Sequence, residues 1–453
     1  MSANKQVDFD KSLGTRQVMA VSFGLVVCVS TWGSALIGFA EYGVGFIVSI
    51  LIAGLLYFLI AMNYSELATM YPRAASIRTY VEGEFGNRLG SMASMIYVLS
   101  FAAGVSAEVI FFGYVLNGFV PGVPWWGWAI LVTTFGLIVN LIGIKNVGKL
   151  SDYLLWAIVV ITLLVGIFAF TGLSIQAPDF SKLTTGFFTD GFAGLIGAFL
   201  LAMWLFAGFE VAAPLAEEVK NPGKSLPRGM FFAILAIGVL NIIFGLGAYL
   251  LVPADVLSSE SGLIQIGSYI AGSVGVVVLF LFAVFCTVAT VLANYSSVSR
   301  LMYGMAEKPG NMLPAKLKWL HPTFKTPWRT LITYYAVTLT LMLSLGGGGM
   351  ATLVYISSFI WIVQYVIAIS TNIALRKKIP DYPRPYRVPG GNIPILSIIG
   401  LVGLVVFLAL SVIPPFGDIY TFYYGFGMIV VVAVYGLIMG SISEKEKSKK
   451  IAG

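Results

Sequence analysis

The sequence predicts an all-α polytopic membrane protein of about twelve transmembrane helices. Three observations predict it. The 453 residues are 58% hydrophobic and only 10% charged, with a mean hydropathy of +0.92. Soluble domains carry roughly 25% charged residues, so a water-facing surface of this size would go uncovered. Apolar runs of helix length follow one another from residue 18 to residue 442 with no long polar stretch between them, which describes one lipid-embedded body. Two runs are interrupted near mid-depth: Val29-Ser30-Thr31-Trp32-Gly33-Ser34 in the first, and Trp204-Leu205-Phe206-Ala207-Gly208-Phe209-Glu210 in the sixth. Lipid tolerates open backbone only where protein or a water-filled cavity surrounds it. Paired interruptions in corresponding halves point to a substrate site between inverted repeats of a secondary transporter.

The chain opens on a polar segment, 1–17, without the short apolar core and small residues of a cleavable signal. The first span is therefore expected to stay in the membrane. Spans are read at 18–40, 43–68, 90–118, 124–143, 151–172, 192–216, 229–251, 271–305, 329–345, 349–374, 393–412 and 420–442. Their flanking segments are short, as in a compact bundle. Gly346–Gly349 reads as a tight, mobile turn. The segment 375–392 is stiffened by Pro380, Pro383, Pro385 and Pro389. The tail 443–453 carries the mixed-charge run Glu444-Lys445-Glu446-Lys447 and reads as a solvated helix end.

Charge placement sets the orientation. With the N-terminus in the cytoplasm, Lys182 is the one residue among 27 Lys and Arg that falls on an outward segment. The positive-inside rule then places both termini in the cytoplasm and the chain in the plasma (inner) membrane. The net charge of +7 is thus a topology signal, and a nucleic-acid surface is excluded. The outward segments carry Glu41, Asp179, Asp190, Asp255, Glu260 and Asp418, which read first as ordinary solvated loop charges and alternatively as an acidic face that concentrates cations.

Several chemistries are excluded. Cys28 and Cys286 sit inside spans, so no disulfide framework is expected. His321 is the sole histidine and lies in a loop beside Pro322. Zinc sites and Ser-His-Asp catalysis have nothing to build on, and neither a metal, a cofactor nor an enzyme activity is expected.

A broken helix exposes unpaired N–H groups at one half-helix and unpaired C=O groups at the other. The first attract a carboxylate, the second an ammonium or a cation, so a zwitterionic amino acid suits the pair. In the first interruption Ser30, Thr31 and Ser34 add hydroxyls and Gly33 permits unusual backbone. In the second, Ala207 and Gly208 leave room for a ligand, and the rings of Trp204 and Phe206 offer faces for an apolar or cationic group. Glu108 and Glu210 are the charged residues placed deep in the membrane, without a Lys or Arg at that depth to pair them. Such carboxylates mark ion or substrate paths. Glu210 is expected to bond freed backbone N–H groups of the second break. Glu108, with no such tether in view, is expected to meet a substrate amine, to carry a proton or to make a buried structural hydrogen bond.

At this point the residues resemble the amino acid–polyamine–organocation (APC) superfamily of transporters. Phe206-Ala207-Gly208-Phe209-Glu210 is followed by Ala216-Glu217-Glu218-Val219-Lys220-Asn221-Pro222 and Leu226-Pro227-Arg228, similar to the family's run after its sixth span. Asn140, Gly143 and Lys145 resemble its motif before span five. Ser299-Arg300 with Tyr303, Met305-Ala306 and Leu313-Pro314 resembles the motif after span eight, and Arg384-Pro385-Tyr386-Arg387-Val388-Pro389-Gly390-Gly391 a loop motif after span ten. The resemblance implies a LeuT-type five-plus-five inverted repeat: a ten-helix transport core over 18–374, with halves 18–172 and 192–374, and two extra helices over 393–442. It implies amino acids or related amines as substrates. Ser30, Thr31, Gly33, Trp204, Phe206, Ala207 and Gly208 would line the site, with Glu108 and Asn294 facing it. Three departures stand out. Ala75, Ser76 and Arg78 replace two glycines and a tyrosine of a loop motif beginning at Pro72. Ser30-Thr31-Trp32-Gly33 replaces a Gly-Ser-Gly in span one. Ile158 aligns with a lysine that proton-coupled members often carry in span five.

The sequence thus predicts alternating-access transport of amino acids or organic amines. A cationic amine, a polyamine or a basic amino acid is favoured by the two unpaired carboxylates. A neutral amino acid with Glu108 as proton carrier, or an amino-acid sensor on the same fold, is the alternative. Coupling is not expected through span five. Protons on Glu108 or Glu210, sodium at Thr287 and Thr290, which lie one helical turn apart, and exchange without an ion all stay open.

Overall fold

The computed structural model describes residues 9–184, 191–259, 261–307, 313–345, 350–391, 393–411 and 419–452. The glycine turn Gly346–Gly349 lies outside the described residues. Each apolar run closes its backbone hydrogen bonds within itself as a helix, as lipid demands. In chain order these are α1 (Thr15–Val26), α2 (Val29–Tyr42), α3 (Phe46–Met70), α4 (Ser76–Phe85), α5 (Asn87–Phe119), α6 (Trp125–Leu141), α7 (Ile144–Thr171) and α8 (Gly191–Trp204). After a ten-residue 3-10 helix, Phe209–Glu218, come α9 (Pro222–Leu251), α10 (Ala254–Leu257), α11 (Gly262–Glu307), α12 (Trp328–Leu345), α13 (Met350–Lys378), α14 (Ile395–Leu410) and α15 (Ile419–Ala452). Among the described residues, eight helical stretches are long and apolar enough to cross a membrane, and α6 and α14 are shorter apolar helices. The chain is a polytopic membrane protein.

The distribution of side chains is that of a protein in lipid. Leu51 and Leu55 of α3, Leu131 and Ile138 of α6, and Leu235 of α9 point outward and are exposed, while Asn63, Glu66, Glu108, Glu210 and Gln364 are buried. Polar groups inside and apolar groups outside are the arrangement expected when the solvent is hydrocarbon.

Two local features differ from the sequence expectation. The segment 69–89 contains a helix, α4, too short and polar to register as a hydrophobic run. The eighth span begins earlier than residue 271: α11 starts at Gly262 and bends at Ala271 and Gly272, the latter at φ +59°. The two limbs of that bend touch through glycine backbone, since a Cβ on Gly267 would lie 2.3 Å from the carbonyl carbon of Gly275. The tail, read as a solvated helix end, is helical through Ala452, as a continuation of α15.

Helix α1 packs on α7, α9, α11 and the 3-10 helix; α8 packs on α2 and α3. Helix α5 packs on α6, α11, α12, α13 and α15, and α11 on α6, α7 and α12. Ahead of α1, the extended residues Ser12–Leu13 pair with the segment after the 3-10 helix in a parallel bridge, Leu13 to Val219. The N–H groups of Ser12 and Leu13 donate to Glu218 O, both at 3.0 Å, and Lys220 N–H donates to Leu13 O at 2.9 Å.

Candidate substrate and coupling site

The first break lies at Val27–Cys28, between α1 and α2, just ahead of the expected 30–34. Helix restarts at Val29 because its first orphan N–H groups find an acceptor far away in sequence. Glu108 of α5 accepts Val29 N–H on Oε1 at 2.7 Å and Ser30 N–H on Oε2 at 3.2 Å. Thr287 of α11 donates to Oε1 at 3.1 Å. Thr31 turns back and donates to Val26 O at 2.5 Å, covering a carbonyl that α1 leaves free. Ser30 sits with its hydroxyl 3.1 Å from the Cys28 sulfur. Gly33 lies within α2, facing the Phe111 ring of α5.

The second break falls where expected. Helix α8 ends at Trp204, and Gly208, at φ +99°, reverses the chain into the 3-10 helix. A side chain is strained at that φ. A Cβ at Gly208 would also lie 2.4 Å from Leu25 of α1, so the two breaks meet. Gly208 N–H donates to the Tyr365 hydroxyl at 2.9 Å.

Both carboxylates are held by donors of the protein itself. Glu108 carries the freed N–H groups. Glu210 instead accepts from three side chains of α13: Trp361 Nε1 at 3.1 Å, Gln364 Nε2 at 2.9 Å and the Tyr365 hydroxyl at 2.9 Å. The reason is geometric. The 3-10 helix sets Glu210 against α13, where Tyr365 links it to Gly208 N–H of the break, while α5 brings Glu108 under the N-terminus of α2.

The remaining expected residues divide. Ala207 is half-buried between the breaks. Trp204 is half-buried against Trp361, and its indole N–H is buried without a hydrogen-bond partner. Phe206 is buried, stacked on Tyr57 and seated against Gly54 and Gly238. Asn294 is tied into a structural junction, donating to Phe101 O at 3.0 Å and accepting from the Tyr334 hydroxyl at 2.8 Å. Thr290 donates toward Gly24 O, Leu25 O and Cys286 O at 3.0, 3.3 and 3.1 Å, so its hydroxyl lies among carbonyls where α1 ends. Thr287 is committed to Glu108. Ile158 is fully buried in the apolar core.

Glu108 and Glu210 are not the whole buried charge. Glu66 of α3 accepts from Arg384 Nε at 2.9 Å and from Val388 N–H at 2.8 Å, and forms a buried ion pair with Arg376. Arg300 pairs with Glu218 at 2.6 Å, both nearly fully buried. These pairs join stretches that the sequence showed as separate motifs. The departures at 75–78 are also accommodated. Ser76 keeps a positive φ, +38°, in the place of a glycine. Buried Arg78 donates to Met305 O and Asn87 Oδ1, both at 3.0 Å, linking α4 to α11 and α5.

A family profile described as "Amino acid permease" matches residues 13–438. The chain belongs to the amino acid permease family. The motif resemblance to the APC superfamily therefore holds, and the permease is a transporter, not an enzyme. It is similar to the branched-chain amino acid permease BcaP of Bacillus subtilis (strain 168), 23% identical over 403 residues and 84% of each chain. It is similar to the serine/threonine exchanger SteT of the same organism, 25% identical over 77% of this chain and 80% of that one. It is also similar to the low-affinity putrescine importer PlaP of Escherichia coli (strain K12), 25% identical over 62% of this chain and 63% of that one.

Sequence reasoning missed three residues of the candidate site, Trp361, Gln364 and Tyr365. A signal was present: they fall at i, i+3 and i+4, one face of a helix, and Gln364 is an amide within an apolar run. Gln364 also donates to the Tyr64 hydroxyl at 3.0 Å and accepts from Ser100 at 2.8 Å, so it joins α3, α5 and α13 behind the second break.

Proposed function

We propose that the permease moves amino acids across the cell membrane by alternating access, with substrate held between the two breaks. The observation that carries the reading is the meeting of the breaks at Leu25 and Gly208, each backed by a buried carboxylate. A preference for cationic amines, including polyamines, rested on two carboxylates without partners. Each now has three protein donors, which favours a zwitterionic amino acid: carboxylate toward the N–H end of α2, ammonium toward the carbonyl end of α1.

Twelve spans in a five-plus-five inverted repeat are part of this reading, with α1–α2 as span one and α8 plus the 3-10 helix as span six. Reciprocal packing supports it: α1 on α9 answers α8 on α3, α5 on α13 answers α11 on α7, and α6 on α11 answers α12 on α5. The halves are then 18–172 and 192–374, with α14 and α15 outside. The excess of Lys and Arg on one side favours cytoplasmic termini.

Uptake of radiolabelled amino acids into proteoliposomes, driven in turn by proton and sodium gradients, tests the reading. Accumulation of an amino acid supports it. Binding without any flux or exchange points to a sensor instead. Within the site, Trp204→Ala should weaken substrate binding about tenfold, one hydrogen bond or ring contact, at unchanged thermal stability. Phe206→Ala should act differently, lowering stability by roughly 3–5 kcal/mol as a core cavity. Equal affinity for wild type and Trp204→Ala would remove Trp204 from the site.

A further inference from the structure

The N–H end of α2 already holds an anion. Both Glu108 oxygens are engaged there, by Val29 N–H, Ser30 N–H and the Thr287 hydroxyl. The carboxylate is buried and comes from another helix, so this is a built anion seat with its occupant in place. The titratable groups facing it are the thiols of Cys28, at the α2 terminus, and Cys286, on α11. No Lys, Arg or His pairs with it among the described residues. Glu210, Tyr57, Tyr64 and Tyr365 belong to the separate cluster around the second break. An α-carboxylate of a substrate would seek the same two N–H groups. Two ionised carboxylates side by side in a buried site repel too strongly for both to keep their charge.

We infer that Glu108 is a resident stand-in for the substrate carboxylate and the coupling group of transport. It rests on the amino acid reading above. The incoming amino acid takes over Val29 N–H and Ser30 N–H with its carboxylate still ionised. Displaced Glu108 takes one proton from solvent hydronium: one O–H bond of the hydronium breaks, leaving water, as the carboxyl O–H bond forms. The number of ionised carboxylates at the α2 terminus stays at one, and one proton travels with each substrate. On release, Glu108 loses the proton and returns to α2. Coupling thus needs no lysine at Ile158. A bare amine has no carboxylate to evict Glu108, so the device selects amino acids over their decarboxylated counterparts.

The test uses the purified full chain with three probe pairs: leucine and 3-methylbutylamine, serine and ethanolamine, arginine and agmatine. The amino acid that binds should do so at least about tenfold more tightly than its amine. In weakly buffered solution its binding should take up about one proton, and its Kd should rise about tenfold per pH unit in the alkaline range. Glu108→Gln, verified as monodisperse, should bind with no proton uptake and a flat pH profile. An amine bound as tightly as its amino acid overturns the inference, as does binding by wild type without proton uptake, or uptake that persists in Glu108→Gln. The two wild-type arms decide even if the variant fails to fold. Amino acid flux without proton uptake overturns this inference alone and leaves the proposed function standing. Failure of any amino acid to bind overturns both.

Discussion

Arg376→Ala is expected to destabilise the fold by about 3–5 kcal/mol, the cost of removing one partner from a buried ion pair. Arg376 holds Glu66 and donates to Gly391 O and Val388 O, at 2.9 and 2.7 Å, so its loss strips the end of α13 and the following segment of their tie to α3. Arg384 still reaches Glu66, but through one Nε bond at 2.9 Å. Thermal unfolding in detergent measures the effect, and the double variant Glu66→Gln/Arg376→Ala should recover none of the loss, because it also strips buried Arg384 of its carboxylate partner. A single variant as stable as wild type would show that water reaches Glu66.

Glu210→Ala should abolish transport and cost roughly 2–4 kcal/mol, since buried donors of Trp361, Gln364 and Tyr365 lose a shared charged acceptor. The 3-10 helix after α8 owes its position to these bonds and to the Gly208 bond with Tyr365. Glu210→Gln should not rescue: its amide NH₂ would face donors where a second oxygen now accepts. Counterflow in proteoliposomes and thermal unfolding together read the result. Normal counterflow by Glu210→Ala would reduce the α13 cluster to packing.

Much of the fold was legible because lipid thickness fixes the length of a run and forbids open backbone within it. The break of the sixth span was legible for a local reason, Gly208 within Trp204–Glu210. The first break was displaced because what restarts α2 is Glu108, 79 residues from Val29. The partners of Glu210 and Glu66 lie 151 to 155 and 310 to 322 residues away. No periodicity carries information over such separations. That is why Glu108 and Glu210 were readable as buried carboxylates, while the burial of Glu66 and Glu218 and the partners of all four were not.

The bridge from Leu13 to Val219 joins the two interrupted spans by three main-chain bonds. Main-chain bonds neither swing like side chains nor lengthen with rotamer changes. Helix α1 and the 3-10 helix therefore behave as one crank: tilting either drags the other, and a push at one interruption is delivered to its counterpart in the same stroke. Cutting the chain between Leu13 and Thr15 would leave each half of that crank to turn alone.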